Sequence, residues 1–243
     1  ITGNWRIGVS NKLVAKAISK FTSLPENTVL HRLSGHWSPD DNSFQDLILG
    51  ENTTDDLSKP FPFCLAYALE EEPDKLGPVS EWCAEYKWDG IRGQVIKRGG
   101  ELYVWSRGEE LVTDKYPEYQ VLRQQLPDGT VLDGEIIGWR EGLPLPFASL
   151  QTRIGRKLVG KKQLSDTPVA FIAYDVLEYK NQDVRDLPFS ERRDMLETIA
   201  AQANSDVLVL SNIIEAPDWA ALAEKRINAL DMKAEGLMLK RKD

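Results

Sequence analysis

The chain is poor in the residues that most often build disulfide scaffolds and metal centres. Of its 243 residues only two are cysteines, Cys64 and Cys83, and only two are histidines, His31 and His36. Two cysteines cannot make the dense framework of a small secreted domain, and neither pair has metal-ligand spacing. A zinc site or a histidine-based catalytic triad is therefore excluded, and the sparse thiols point to a reducing, cytoplasmic compartment (nucleoid-associated in a bacterium). No apolar run reaches the roughly 20 residues needed to cross a bilayer, so no membrane association is expected. The start, Ile1–Arg6, lacks the basic and apolar segments of a secretory leader. There is no glycine-rich phosphate loop and no dinucleotide fingerprint, which removes the two commonest nucleotide-binding folds. The net charge of −8 argues against a surface that binds nucleic acid everywhere.

What remains is ordinary globular chemistry, with 42% hydrophobic and 28% charged residues, enough for one large domain or a domain with an appendage. Charge is uneven, however. The stretch Gln151–Ser165 carries Arg153, Arg156, Lys157, Lys161 and Lys162 and no acid. Near the start, Ser10 is placed to cap a helix running to about Phe21, with Leu13, Val14, Ala17, Ile18 and Phe21 on one face. Lys12, Lys16 and Lys20 then line another face at i, i+4 and i+8. A second helix is expected from Pro25 toward Gly35 and a third from Ser38-Pro39 to Gly50. A polar linker follows, dividing a helical segment, 1–58, from a second unit, 59–243.

Beyond the linker, strands are expected at Cys83–Lys87, Ile91–Lys97 and Leu102–Ser106, the last two joined across Gly99-Gly100. Helical patterns cover Pro117–Leu126, Phe147–Lys157, Glu191–Ala203 (capped by Ser190) and Pro217–Leu230. Further β segments cover Thr130–Gly138, Val169–Leu177 and Leu237–Lys240. Hairpins interspersed with helices predict an α+β fold with mainly antiparallel sheets flanked by helices.

The most informative stretch is Glu85-Tyr86-Lys87-Trp88-Asp89-Gly90-Ile91-Arg92. Asp-Gly between alternating segments is a strong hairpin signal, and Lys87 can be an ordinary surface lysine beside it. Equally, apolar neighbours and a nearby cation are what a lysine needs to act as a nucleophile, since its amine ordinarily titrates near about 10.4. Attack on a phosphate would further require acids to hold a divalent metal. Glu135, after Asp133-Gly134, and Glu235, before Gly236, are available. Tyr174 could stack on a base and Arg107 could reach a phosphate, although a core tyrosine and a strand-end cation would look the same.

Taken in order, these segments resemble a known family. Glu85–Arg92 resembles the Lys-x-Asp-Gly-x-Arg signature of ATP-dependent DNA ligases, RNA ligases and mRNA capping enzymes. Ser106-Arg107 with Thr113, Leu132–Glu135, Ala173–Leu177 and Glu235–Lys240 resemble the motifs that follow it, and the likeness runs from about Pro60 to the end. Phe147–Arg153 and the opening Ile1–Ser10 are most similar to DNA ligases, the latter to the end of a helical DNA-binding domain. The resemblance implies an ATP-grasp-like nucleotidyltransferase (adenylation) domain.

By position it further implies that Lys87 attacks the α-phosphate of ATP and that Glu85 selects adenine. Tyr174 would stack on the base, Arg92 and Glu135 would hold the ribose, Arg107 would meet the phosphate or the nicked strand, and Lys240 would sit near the α-phosphate. Glu135 and Glu235 would bind magnesium or manganese. Nicked double-stranded DNA would lie along Arg153, Arg156, Lys157, Lys161 and Lys162 and the Lys12, Lys16, Lys20 edge, with the protein acting as a monomer. Gly108 departs from the family's usual asparagine and Tyr174 from its usual phenylalanine. The family's next lysine-rich motif and OB-fold domain are expected beyond the last residue. Two rivals follow: a piece that binds nucleotide or DNA without turnover, and an RNA ligase or capping guanylyltransferase.

Overall fold

The computed structural model describes residues 11–24, 26–33, 40, 43–49, 57–108, 110–154, 156 and 159–243. Two helices, α1 (Asn11–Thr22) and α2 (Glu26–Leu33), pack with a turn of π-helix at Gln45–Leu49 around Ala15, Val29, Leu47 and Ile48. The buried face of α1 is rotated from the expected one. Ala15 is inside, whereas Leu13 and Phe21 are 56% and 81% exposed. Ser10, Pro25 and the start of the third expected helix lie outside the described residues.

The remainder is built on strands β1 (Trp82–Trp88), β2 (Ile91–Arg98), β3 (Glu101–Ser106), β4 (Glu110–Leu111), β5 (Thr130–Arg140), β6 (Leu143–Pro144), β7 (Val169–Tyr179), β8 (Gln182–Asp183), β9 (Leu208–Leu210) and β10 (Ala234–Arg241). Helices α3 (Leu122–Gln125), α4 (Phe147–Ile154), α5 (Lys161–Asp166), α6 (Phe189–Ala203) and α7 (Trp219–Ile227) lie between them. Among the described residues the main sheet has eight strands, β4-β3-β2-β5-β7-β8 with β6 on β5 and β9 on β7, and only its β7–β9 pair is parallel. A second sheet has two strands, β1 and β10. Mixed α and antiparallel β is the expected class.

Alternation along the central strands separates two cores. Val95, Leu132, Ile136 and Phe171 face α6 through Leu196 and Ile199, while Ile96, Trp105, Val131 and Leu177 face Phe61 on the other side. The extended chain around Phe61 is held there by buried Gln94, which accepts from the Phe61 amide at 2.8 Å and donates to its carbonyl at 2.9 Å. This amide supplies the hydrogen bonds a neighbouring strand would have supplied.

The two glycine-containing turns differ. Gly99 and Gly100 have φ of 58° and 79° and close the β2–β3 hairpin, as a two-residue turn with positive φ requires. Asp89-Gly90 does not close a hairpin. It links β1, paired with β10, to β2, paired with β3 and β5, so the strands on either side belong to different sheets. Glycine is needed there for closeness, because a Cβ at Gly90 would lie 2.5 Å from the Ile136 carbonyl oxygen and 2.6 Å from Ile137 Cγ2. At α6 the expected cap shifts as well: Pro188 is the N-cap and Ser190 lies inside the first turn.

Arg153 is a further correction. It was expected on a DNA-facing track, but it is 1% exposed. Its guanidinium forms a fork with Glu118 at 2.6 Å on both oxygens and donates to the carbonyls of Thr167 and Lys115 at 2.9 Å. A side chain so placed ties α4 to the segment before α3 and cannot meet a phosphate. Arg153→Ala is expected to cost about 3–5 kcal/mol of stability, because Glu118 keeps a largely buried, unpaired charge. The measurement is the urea midpoint at unchanged slope. A loss no larger than the ~1 kcal/mol of an exposed pair would refute the role.

Candidate active site

Lys87 is the last regular residue of β1. It faces Gly236 across the pair with β10, and the register shifts between Lys87 and Trp88. The shift turns Trp88 toward the main sheet, where it packs against the group of Ile137, Ala170 and Ile172 and donates from Nε1 to Ser211 Oγ at 3.3 Å. Trp88 and Gly90 thus pin the end of β1 to β5. The Lys87 side chain itself is 46% exposed and ion-paired with Glu235, which is 48% exposed. The aromatic neighbours therefore do not bury Lys87; they fix the backbone that presents it.

Arg92, the second residue of β2, lies opposite Glu135 of β5. Its Nε and Nη2 donate to Asp133 Oδ1 and Oδ2 at 3.2 and 2.7 Å, and Nη1 donates to the Cys64 carbonyl. Burial disfavours the Arg92 charge, but the hydrogen bonds and charge of Asp133 outweigh it and raise its pKa. Burial in turn pushes the Asp133 carboxyl up, opposed by Arg92. Asp133 is not singled out by the sequence, because an Asp-Gly pair carries a turn signal wherever it stands. In the structure both residues lie inside β5, and a Cβ at Gly134 would sit 2.5 Å from the Ile172 carbonyl oxygen.

Glu135 lies on the same face as Asp133, two residues along the strand. Burial raises its carboxyl pKa to about 8; Arg92 and Lys87 oppose the shift, and Asp133 and Asp89 add to it. Lys87, Arg92, Asp133 and Glu135 are therefore one electrostatic group. The two glutamates beside Lys87, Glu135 and Glu235, suit a cation that takes one or two protein carboxylates and draws its other ligands from phosphate and water, as Mg²⁺ does. Among the described residues no group of three or more acids, histidines or cysteines could hold a metal unaided.

Tyr174 on β7 is half-buried, and burial foremost, with the charges of Asp133, Glu135 and Glu85, holds its hydroxyl well above the usual tyrosine range. Lys240 donates to the Tyr174 carbonyl at 2.8 Å and lies 4.7 Å from the centre of its ring. The ammonium also lies 2.5 Å from Glu85 Oε2. Lys240 pairs with Cys83 in the register whereas Lys87 pairs with Gly236, a separation of about 13 Å along the strands. The Lys240 ammonium is thus bound at the Glu85–Tyr174 end of the site.

Glu85 is 1% exposed and bonds Arg193 of α6 at 3.2 Å. No local pattern singles out Arg193, which lies 108 residues away in the chain. Arg107 is exposed just after β3, with its backbone amide on the Arg92 carbonyl at 2.9 Å. A Cβ at Gly108 would make only an ordinary contact, with Ser106 Oγ at 3.8 Å, so the departure from asparagine there has no steric cause. Arg156, Lys161, Lys162, Lys16 and Lys20 are exposed; Lys157 and the Lys12 side chain lie outside what is described. A cavity of about 750 Å³ lies elsewhere, between the start of β1 and the segment before α7, and Lys87 does not line it.

Residues 65–243 match the family described as ATP dependent DNA ligase domain. The chain belongs to this family. Among its relatives, the "Probable DNA ligase" of Koribacter versatilis is 32% identical over 83% of the chain and 35% of its own length. The DNA ligase of Natronomonas pharaonis is 29% identical over the whole chain and 44% of its own length. A solved structure, mycobacterial DNA ligase D complexed with ATP and MES, superposes with a TM-score of 0.54 at 30% identity, over 68% of this chain and 50% of that one. The chain thus spans less than half the length of these two sequence relatives. No helix among the described residues of this ligase domain is long and apolar enough to cross a membrane.

The raised Glu135 pKa sets a pH dependence. Between about 4.5 and about 8 the folded chain holds a proton on Glu135 that the unfolded chain releases, so this group's contribution to stability falls as pH rises, by at most about 1.4 kcal/mol per pH unit. Glu135→Gln is expected to remove that decline in denaturant titrations run with a chelator. An unchanged decline would show that Glu135 is not its source.

Proposed function

We propose that this chain is the self-adenylating part of a DNA ligase, with Lys87 as the covalent nucleophile. The observation that carries the reading is the joining of one half-exposed lysine to a buried arginine–aspartate pair and two glutamates, where two sheets meet. Lys87 Nζ, as the free amine, attacks the α-phosphorus of ATP. A nitrogen–phosphorus bond forms, the bond from the α-phosphorus to the bridging oxygen breaks, and pyrophosphate leaves with that electron pair. The nitrogen loses its extra proton to solvent. The product is lysyl-AMP, which divides a hard condensation into two easier displacements.

The chain's own residues hold the reactants for this step. Arg92, oriented by Asp133, and Glu135 bind the ribose side. Tyr174 offers a ring face to the base and Glu85 an acceptor to its edge, while Arg107 is placed to meet phosphate. Glu135 and Glu235 are the residues that would hold a divalent metal, which would supply charge neutralisation at the phosphates. Glu235 is also the counter-ion of Lys87, so a cation held by Glu235 would compete with that ion pair for its carboxylate. In the complete protein AMP then passes to the 5′-phosphate of a nick, and the 3′-hydroxyl displaces it.

Incubation with labelled ATP and Mg²⁺ is expected to give a covalent protein–AMP adduct that Lys87→Ala lacks. Adduct retained by that variant would overturn the assignment, and labelling from GTP in preference to ATP would favour a capping guanylyltransferase. Nicked duplex is expected to bind along Arg156, Lys157, Lys161 and Lys162 through phosphate contacts that carry no sequence information. Neutralising all four should flatten the dependence of log K on log salt by up to about 0.9 for each phosphate that no longer has a cation against it. An unchanged slope would place the DNA elsewhere.

A further inference from the structure

The carboxylate of Glu85 lies two residues before Lys87 on β1 and has a cation on each oxygen, Arg193 at Oε1 and Lys240 at Oε2. The two cations are held very differently. Arg193 has a side chain only 7% exposed. Its Nη1 also donates to the Ser211 carbonyl at 2.8 Å and its Nε to Glu197 at 2.7 Å, so the planar fork is fixed from three directions. Lys240 is 19% exposed. It is shared among Glu85, the Tyr174 carbonyl and the rings of Tyr174 and Phe189, each ring centre 4.7 Å away. A guanidinium bound in a fork holds its orientation, whereas a lysine ammonium on a flexible stem with several partners can exchange among them.

We infer that Arg193 is a positioning residue for nucleotide specificity. By fixing Glu85 Oε1 from behind, it presents Oε2 as an acceptor beside Tyr174 and so favours a 6-aminopurine over a 6-oxopurine. The inference rests on the base site proposed above. An ionised carboxylate only accepts hydrogen bonds. A 6-amino group donates to it, whereas a 6-oxo group would set acceptor against acceptor and leave both desolvated without a partner. Oε2 is buried and, among the described residues, accepts no hydrogen bond, having only the Lys240 ammonium beside it as an ion pair, so an arriving amino group supplies the donor that it lacks while Lys240 keeps the Tyr174 carbonyl.

The test is calorimetric titration of the chain with AMP and with inosine monophosphate, which carries an oxo group at C6 and a proton on N1 where AMP has an amino group and a bare N1. The wild type is expected to prefer AMP by about tenfold or more, equivalent to about 1.4 kcal/mol. Arg193→Gln should narrow that ratio mainly by weakening AMP, and Arg193→Lys should restore part of it. Glu197→Gln loosens Arg193 from its exposed side while the buried arginine stays in place, and it should move the ratio in the same direction. These two milder variants stand in if Arg193→Gln does not fold. A melting temperature that falls while the ratio stays at the wild-type value, in Arg193→Lys and Glu197→Gln alike, would overturn the role of Arg193. Wild type that binds neither nucleotide would instead remove the base site itself, and with it this inference.

Discussion

The close approach of Gly90 to β5 is the constraint on which the site depends. Within two residues the chain leaves one sheet and enters another, and it can do so only where no side chain intervenes. A Cβ at Gly90 would meet backbone as well as side chain, with the Ile136 oxygen at 2.5 Å, so rotamer changes could not make room. Trp88 seals the junction from one side by packing against the β5–β7 surface. Lys87 is therefore held at the seam by its neighbours' packing while its own side chain stays half in solvent. Gly134 repeats the device inside β5, where a Cβ would lie 2.6 Å from the Phe171 ring, and it lets β5 and β7 close up beneath Asp133 and Tyr174.

The site also divides its cations by type. Arg92 meets Asp133 through Nε and Nη2, and Arg193 reaches Glu85 through Nη1, at 2.7 and 3.2 Å with little exposure on either side. Such pairs contribute little net stability over apolar packing, but they fix direction, because a planar guanidinium held by several acceptors cannot turn. Lys87 and Lys240 are bound through single ammonium groups with more solvent around them. Arginines thus orient the acids, and lysines are left able to change partner. A reaction in which a charged reactant enters, and one lysine becomes covalently modified, needs both kinds.

Much of this was legible in the sequence for a definite reason. Strand identity is local: β-forming composition marked Thr130–Gly138 and Val169–Leu177 well enough that the observed strands, Thr130–Arg140 and Val169–Tyr179, differ only at their ends. Pairing is not local. Asp89-Gly90 and Asp133-Gly134 both look like turns because the turn signal depends on adjacent residues, whereas the reason for each glycine is a strand tens of residues away. The same limit hid Arg193, whose carboxylate partner comes from β1, and Arg153, which sits in a basic run yet is turned inward by Glu118 on an earlier segment. The face of α1 was misjudged for a related reason. Its apolar residues are spread widely enough that only the neighbours α2 and Gln45–Leu49 decide which are covered.

The acids around Lys87 are matched to this division. Asp133 has Arg92 as a permanent partner, so its charge is compensated whatever else binds. Glu135 has no such fork, and burial lifts its carboxyl to about 8. Near neutral pH it is therefore poised between a neutral donor and a charged ligand, and a cation brought against it would draw the proton off. Glu235 differs again: it is half exposed, and Lys87 is its counter-ion. A divalent cation arriving with an anionic nucleotide would compete for both glutamates at once, ionising one and detaching the other from the amine. The ion pair that keeps Lys87 in place and the burial that keeps Glu135 neutral would then be undone by the same event, which would tie exposure of the proposed nucleophile to the arrival of its proposed substrate.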